Sequence, residues 1–310
     1  MQPEELLYRS QTIGNIEPIE YMIPYPSTQA LIEGQTLKFG DQIIYEDHNI
    51  TNMDFYKLVQ KTAHWLNDKG VKPKENILIQ DIGFPQTILL LYGIWHLGAR
   101  GVILEKNNLE INNNLPIKII NLENDLLKRI SSYPSNYIPK YKALLNETAV
   151  SIVSKNNIIF LSHYGLLVNA SGLKKLTGIK PGERFFCDLP PISSFWVVMS
   201  VILPIYSGCI YTKKDPSMII TFDNINTNSG FKLRTDWENL DDFEENHIAV
   251  CTENTAAICI GNKPLHLTDF TIDSRTLSVK GHSVMNGYLN KNNMVFKNDY
   301  VIIQIFPVCS

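Results

Sequence analysis

Residues 149–188 of the chain read AVSIVSKNNIIFLSHYGLLVNASGLKKLTGIKPGERFFCD. Two short apolar runs rich in β-branched residues, at 149–153 and 158–161, are separated by four polar residues. A longer segment with apolar residues at helical spacing opens at Ser162, a residue type that caps helix N-termini. This stretch predicts a strand, a very short turn, a second strand and a helix.

The turn at residues 178–183, GIKPGE, has a counterpart in GVKPKE at residues 70–75. Each turn leads into a strand, a long apolar helix, a glycine (Gly98 or Gly208) and a further strand. The copies are offset by 108 positions at the turn (70 to 178) and by 110 at the glycine (98 to 208). This repeat predicts an α/β fold in layers, with two related modules whose mostly parallel sheets are covered by helices.

The positions of these modules divide the chain into four segments. We predict an irregular N-terminal arm at 1–39, because that segment is rich in proline and tyrosine. The first module then covers 40–145 and the second 146–215. Residues 216–310 form a shortened third module with C-terminal strands.

Composition excludes several classes of function. The chain of 310 residues has a net charge of −3, so no excess of basic residues points to nucleic acid or to an anionic membrane. Two apolar runs, 82–97 and 195–211, are interrupted by proline, which favours buried core helices over membrane spans. The five cysteines are widely spaced, which argues against a disulfide framework or a zinc site. With no signal peptide at the N-terminus, the simplest prediction is a cytoplasmic protein.

The most specific motif lies near the C-terminus, in the sequence LSVKGHSVMNGYL at residues 277–289. Its matched positions are Gly281, Ser283, Met285, Gly287 and Tyr288. Together with residues 158–170 and 97–104, it resembles the acyl-adenylating (AMP-binding) superfamily of acyl-CoA synthetases, peptide-synthetase adenylation domains and luciferases. The resemblance implies the fold of that family's large N-terminal domain, and we expect the family's mobile C-terminal lid to be absent.

The same resemblance shows where a nucleotide site is expected. In the family, a glycine- and hydroxyl-rich loop between two strands holds the phosphates, but here the interval is SKNN at 154–157. A short turn without glycine cannot bring several backbone N–H groups close to a phosphate. Lys155 either replaces the loop lysine or faces solvent in a tight turn, and the short turn favours the second interpretation. We therefore predict no catalytic residue and no metal site.

Two further segments match family motifs in part. Thr252 and Glu253 resemble the end of a motif whose acid helps to hold magnesium, so they are a candidate nucleotide-binding remnant; a surface acid at a strand end is the alternative. Ser193 replaces a family histidine, and Trp196 replaces a small residue. With Phe195 they are candidates for the wall of an acyl pocket, and simple core filling is the alternative.

Three other groups of residues suggest sites but have simpler interpretations. Asp299 is either a displaced ribose-binding acid or part of a hairpin turn. Ser162 and His163 are adjacent, yet no nucleophile elbow surrounds them, so capping by Ser162 is favoured. A cluster of acids is expected to be a solvated face; its members are Asp236, Glu238, Asp241, Asp242, Glu244 and Glu245.

These observations favour a catalytically degenerate relative of the adenylate-forming enzymes. It would act without a cofactor as a binding or interaction scaffold in an acyl or peptide pathway, with a partner enzyme or a carrier protein. Two alternatives stay open. One is a residual acid ligase or acyl transferase that binds ATP or AMP with Mg²⁺, and the other is a carboxylic-acid binding protein.

Overall fold

The computed structural model describes residues 2–21, 23–105, 115–121, 125–154, 157–223, 230–237, 243–273, 276–290 and 294–304. Its first elements correct the prediction of an irregular arm, because helices α1 (Pro3–Gln11) and α2 (Thr28–Phe39) lie there. Helix α1 starts with a proline and has two acids in its first turn, both of which favour a helix N-terminus. Helix α2 is capped by Ser27, whose Oγ accepts a hydrogen bond from Ala30 N–H at 3.1 Å.

The first module follows the predicted order of elements. Thr51 caps its long helix, since Thr51 Oγ1 accepts a hydrogen bond from Asp54 N–H at 3.0 Å. Its elements are β1 (Ile43–Tyr45), β2 (Ile50–Thr51), α3 (Asn52–Asp68), β3 (Asn76–Leu78), α4 (Gln86–His96), β4 (Arg100–Leu104), β5 (Ile117–Lys118) and α5 (Leu126–Ile130).

The second module contains the strand–turn–strand–helix unit that the sequence predicts. Its elements are β6 (Thr148–Val153), β7 (Ile158–Ser162), α6 (His163–Thr177), β8 (Arg184–Asp188), α7 (Ser194–Trp196), a π-helix (Val197–Ile202), α8 (Leu203–Ser207) and β9 (Ile210–Tyr211). Helix α7, the π-helix and α8 run on without a break, so together they form the predicted apolar helix.

The remaining elements are strands and one short 3₁₀ turn (Thr252–Asn254). The strands are β10 (Met218–Thr221), β11 (Gly230–Arg234), β12 (His247–Val250), β13 (Ala257–Ile260), β14 (Lys263–Pro264), β15 (Thr268–Asp273), β16 (Thr276–Gly281), β17 (Gly287–Tyr288), β18 (Val295–Lys297) and β19 (Tyr300–Gln304).

Three sheets arise from these strands. A nine-stranded sheet has the order β14-β13-β12-β11-β10-β8-β9-β1-β2, and a six-stranded sheet has the order β17-β7-β6-β4-β3-β5. The strands β12-β11-β10-β8-β9-β1 of the first sheet and β6-β4-β3-β5 of the second pair in parallel, as the sequence predicts. The four-stranded sheet β15-β16-β19-β18 is antiparallel throughout and was not predicted.

The two modules exchange their first strands. The hairpin β1–β2 of the first module joins the sheet of the second, where Tyr45 pairs with Tyr211. Conversely, the hairpin β6–β7 of the second module joins the sheet of the first, where Gly101 pairs with Val150. Each sheet therefore contains strands from both modules, and we call this arrangement the strand exchange.

Matching backbone hydrogen bonds confirm the repeat. Lys74 N–H donates to the Gly98 carbonyl at 2.8 Å, and Gly182 N–H donates to the Gly208 carbonyl at 2.8 Å. A second hydrogen bond follows in each copy. Arg100 N–H donates to the Glu75 carbonyl at 2.8 Å, and Ile210 N–H donates to the Glu183 carbonyl at 2.9 Å. The similar turn sequences thus fold into the same local geometry.

Two apolar helices lie at the centre of the fold. Every residue from Thr87 to His96 in α4 is buried, and so is every residue from Ser194 to Ser207. Tyr92 of α4 donates a hydrogen bond to the carbonyl of Val201 in the π-helix at 3.2 Å. Both helices are core elements, as the sequence predicts, and no helix among the described residues is long and apolar enough to cross a bilayer.

We expect Gly98→Ala to destabilise the fold more than Gly178→Ala. Both glycines have positive φ, +74° and +70°, so either substitution costs about 1 kcal/mol in backbone conformation. At Gly98 the new methyl group would also lie 2.7 Å from Tyr141 Cδ1 and 3.2 Å from the Tyr141 carbonyl oxygen, whereas at Gly178 it meets nothing within 4 Å. Urea unfolding should give a loss of about 3 kcal/mol at Gly98. Equal losses in the two variants would contradict this account.

Stability should also depend on the protonation of His163, which contacts the N-terminal segment. His163 is buried, its Nδ1 lies 2.9 Å from Thr28 Oγ1, and burial lowers its pKa from 6.5 to about 4. The unfolded chain therefore binds this proton first, and the free energy of unfolding should fall by about 3 kcal/mol as the pH drops from 6.5 to 4.

Urea unfolding between pH 6.5 and pH 4 measures how steeply the free energy of unfolding changes with pH. His163→Gln should flatten this slope by the His163 contribution, whereas Thr28→Val, which removes the hydroxyl partner without removing the titrating ring, should keep it. An unchanged slope in His163→Gln would show that other groups control the pH dependence.

Candidate functional site

The carboxyl ends of the parallel strands form the edge at which ligands bind in open α/β sheets. In the nine-stranded sheet, β1, β8, β9, β10, β11 and β12 run parallel and end at this edge. The segments that follow them carry all five predicted site residues: Ser193, Phe195 and Trp196 after β8, and Thr252 and Glu253 after β12. The fold thus places the predicted residues along one edge of one sheet.

The hairpin between β6 and β7 stands where the resemblance places a phosphate loop. Val153 pairs with Ile158, so the connection consists of residues 154–157 and no more. Ser154 N–H and Oγ donate to the Asn157 carbonyl at 2.9 and 3.0 Å, which closes the turn on itself. Lys155 and Asn156 lie outside the described residues. A hairpin of this length has no glycine-rich backbone to offer a phosphate.

Glu253 is held by neighbouring side chains. The Cys251 thiol donates to Glu253 Oε2 at 3.0 Å, and the Tyr288 hydroxyl donates to Glu253 Oε1 at 3.0 Å. Burial, followed by the charge of Glu253, raises the pKa of both donors, so both keep their protons. Each carboxylate oxygen thus accepts one hydrogen bond, and these two bonds hold the Glu253 side chain in place.

Thr252 differs from Glu253 in its surroundings. It is buried at the start of the 3₁₀ turn, and its carbonyl accepts a hydrogen bond from Thr255 N–H at 2.9 Å. The predicted pair thus comprises one buried residue of the turn and one hydrogen-bonded acid.

The motif at residues 281–288 anchors this region to the six-stranded sheet. Met285 N–H donates to the Glu253 carbonyl at 2.8 Å, and Asn286 N–H donates to the Phe160 carbonyl at 2.7 Å. Thr255 Oγ1 donates to the Ser283 carbonyl at 2.6 Å. The motif therefore ties the turn after β12 to strand β7, which gives it a role in the fold.

A cavity of about 410 Å³ opens at the same edge, between the two modules. It is lined by segments that follow β3, β8 and β9. Ile88 and Trp196 both line it and are equivalent positions in the repeat, 108 residues apart (88 to 196). We call it the intermodule cavity; its volume lies within the range that small-molecule sites occupy.

The walls of the intermodule cavity are largely aromatic. The rings that line it belong to Phe84, Phe186, Trp196 and Tyr211. Phe84 stacks on Tyr211 with ring centroids 4.9 Å apart and an interplanar angle of 23°. The Tyr211 hydroxyl donates to the Cys187 carbonyl at 2.7 Å, which fixes its ring. The charged residues that line the cavity are Asp81, Asp188 and Lys213.

Of the three predicted pocket residues, Trp196 lines the cavity, whereas Ser193 and Phe195 are not among its lining residues. Ser193 Oγ instead caps α7 by accepting a hydrogen bond from Trp196 N–H at 3.3 Å. Phe195 is buried in the core. Ser193 thus orients the helix that carries Trp196 and does not face the cavity.

The weaker candidates have structural roles. Asn298 and Asp299 both have positive φ and form the hairpin turn between β18 and β19, and Asp299 Oδ1 pairs with Arg9 Nε at 2.9 Å. Ser162 Oγ accepts a hydrogen bond from Gly165 N–H at 3.0 Å, which confirms capping of α6.

In the acidic cluster, Asp236 Oδ1 accepts a hydrogen bond from Arg234 Nε at 2.6 Å. Glu238, Asp241 and Asp242 lie outside the described residues. In the described part of the chain, no group of three or more His, Cys, Asp or Glu side chains is placed to hold a metal ion.

Sequence reasoning missed most of the intermodule cavity. Asp81 and Phe84 lie in a turn after β3 with no motif of its own, and Lys213 follows β9 in a polar loop. One signal was present, because residues 81–88 and 189–196 occupy equivalent positions at the repeat offset of 108. Residues at equivalent positions near a shared edge can line one cavity.

Comparison with solved structures supports the fold. The N-terminal subdomain of NpsA from Klebsiella oxytoca is 11% identical, with a TM-score of 0.68 over 91% of this chain and 96% of that chain. O-succinylbenzoate coenzyme A synthetase (MenE) from Bacillus subtilis is 14% identical, with a TM-score of 0.69 over 88% and 75% of the two chains. An artificially fused adenylation–PCP di-domain, NpsA-ThdA from Klebsiella oxytoca, is 11% identical, with a TM-score of 0.70 over 92% and 68%.

No family model matches the sequence, and no curated protein matches it. At these identities the likeness concerns the fold. It confirms the α/β architecture implied by the resemblance to acyl-adenylating enzymes.

A double-mutant cycle should measure the bond that engages Glu253. Glu253→Ala and Tyr288→Phe each remove one side of a 3.0 Å hydrogen bond, and Tyr288 is buried. We expect a coupling energy of about 1 kcal/mol in urea unfolding. Each single variant loses the hydrogen bond, and the double variant loses that same bond only once, so its loss of stability is smaller than the sum of the two single losses. Additive losses would show that the two side chains do not interact in solution.

Proposed function

Because the chain has the fold of adenylation domains and acyl-CoA synthetases, we propose that it is a non-catalytic relative of adenylate-forming enzymes that acts as a binding or interaction scaffold. The observation that carries this proposal is the closed hairpin at residues 154–157, which joins β6 to β7 directly. Adenylation needs backbone N–H groups and a cation around the phosphates as charge shifts in the transition state. A hairpin that bonds to itself does not supply them.

Glu253 supports the same proposal. Its two oxygens accept hydrogen bonds from Cys251 and Tyr288, and both donors stay protonated because burial raises the pKa of each. Removing this carboxylate would leave a buried hydroxyl and a buried thiol without an acceptor, which is unfavourable. The acid therefore contributes to the structure.

The proposed scaffold role also suggests a class of partner and a cellular compartment. One structural neighbour is a fused adenylation–PCP di-domain, so a carrier protein or a partner enzyme of an acyl or peptide pathway is the partner class that we propose. We also propose the cytoplasm as the compartment, since Cys187, Cys209, Cys251 and Cys259 are unpaired and buried.

ATP–pyrophosphate exchange tests the proposal directly. We expect no exchange above buffer with a panel of aromatic, aliphatic and amino acids, because the phosphates have no loop to hold them. Bacillus subtilis o-succinylbenzoate coenzyme A synthetase with its own acid serves as the positive control. Acid-dependent exchange by this chain would refute the proposal.

Calorimetry with millimolar ATP and Mg²⁺ distinguishes the scaffold from a residual ligase or acyl transferase. We expect no saturable heat in the unmodified chain. Saturable binding that Glu253→Ala abolishes would instead favour a residual ligase or acyl transferase that uses Thr252 and Glu253.

A further inference from the structure

The intermodule cavity has a charge pattern that the proposed scaffold role does not explain. Among the described residues that line it, two carry a carboxylate and one an ammonium group, so these side chains have a net formal charge of −1. Asp188 is exposed directly at the end of β8. Lys213 is also exposed, and its backbone N–H donates to Asp47 Oδ2 at 3.1 Å, which fixes this part of the rim. The two acids give the cavity a preference for cations.

Asp81 is held in place with one oxygen available. Its Oδ1 accepts hydrogen bonds from Gly83 N–H at 3.0 Å and from Thr87 Oγ1 at 3.1 Å. Thr87 is itself buried at the start of α4, so the carboxylate is anchored to a rigid helix. Oδ2 accepts no hydrogen bond from the described residues. A fixed carboxylate oxygen at the rim of a cavity is a suitable acceptor for an ammonium group.

The aromatic walls provide a second feature that favours cations. The ring faces of phenylalanine, tyrosine and tryptophan carry partial negative charge and attract cations. The cavity already shows such a contact, because the Lys213 ammonium lies 5.5 Å from the centre of the Phe186 ring. Trp196 and Tyr211 are buried deeper and add apolar surface.

The floor of the cavity carries no compensating charge. Burial raises the pKa of the Cys187 thiol to about 12, so this group stays neutral. The pKa of Tyr211 is likewise raised, chiefly by burial, and its hydroxyl is committed to the Cys187 carbonyl. An apolar or aromatic body would thus rest on a neutral floor while its charged end reaches the rim.

From this arrangement we propose that the intermodule cavity binds a small organic cation, a primary ammonium group attached to an aromatic or apolar body. The ammonium group contacts Asp81 and Asp188, and the body lies among Phe84, Phe186 and Trp196. This site goes beyond the scaffold role, and it does not depend on whether the chain adenylates.

Calorimetry with three ligands of similar shape tests the proposal without any nucleotide. The probes are 2-phenylethylammonium, neutral 2-phenylethanol and the acid 3-phenylpropanoate. We expect the ammonium compound to bind about 10-fold more tightly than the alcohol, and the acid to bind more weakly still, since a hydrogen bond between charged groups contributes a factor of about this size.

Four variants assign the contacts. Asp81→Asn and Asp188→Asn should each weaken binding of 2-phenylethylammonium about 10-fold, while Lys213→Met should keep or tighten it. Asp41→Asn is the matched control, because Asp41 precedes β1 and lies at the opposite edge of the sheet. Circular dichroism of each variant checks that the fold is retained.

Three outcomes would overturn the proposal. The first is tighter binding of 3-phenylpropanoate that Lys213→Met abolishes, which would make the cavity an acid site. The second is equal binding of the alcohol and the ammonium compound, which would leave the carboxylates without a role. The third is the lack of saturable binding by all three probes at millimolar concentration.

Discussion

The fold depends on covering two helices that have no polar face. Helix α4 and the helix formed by residues 194–207 are buried along their length, so each must be surrounded by other elements. Helices α2 and α3 pack on α4, and α6 packs on the second apolar helix. The strand exchange joins these layers, because each sheet includes a hairpin from the other module. One large core results, which includes Leu31 and Ile32 of the N-terminal segment, and a smaller cluster forms beside it.

The same constraint determines where a site can form. The family-like motif at residues 281–288 and the acid Glu253 bond to each other and to β7, so this region contributes to holding the sheets together. The intermodule cavity forms instead where the turns after β3, β8 and β9 meet. Those turns are not required to pack tightly, since their strands end there. The motif at residues 281–288 and the intermodule cavity therefore lie in different parts of the structure.

Local signals in the sequence predicted local structure well. Thr51 and Ser162 cap the helices that they were expected to cap, and the repeated turns at residues 70 and 178 form the same hydrogen bonds. The N-terminal helices were missed although Pro3 and the following acids indicate a helix start. The strand exchange could not be read from the sequence, because the choice of sheet for β1 depends on contacts far away in the chain. For the same reason Lys213 and Asp81 were not recognised as neighbours of Trp196.

The strand exchange also affects the way the chain folds as it is synthesised. Tyr45 pairs with Tyr211. The hairpin β1–β2 can therefore join the nine-stranded sheet only after residue 211 has been synthesised, when more than half of the chain has left the ribosome. Until then β1 and β2 are an isolated hairpin, which is at best marginally stable in water. Pairings between such distant residues are slow to form and leave strand edges exposed to aggregation in the meantime.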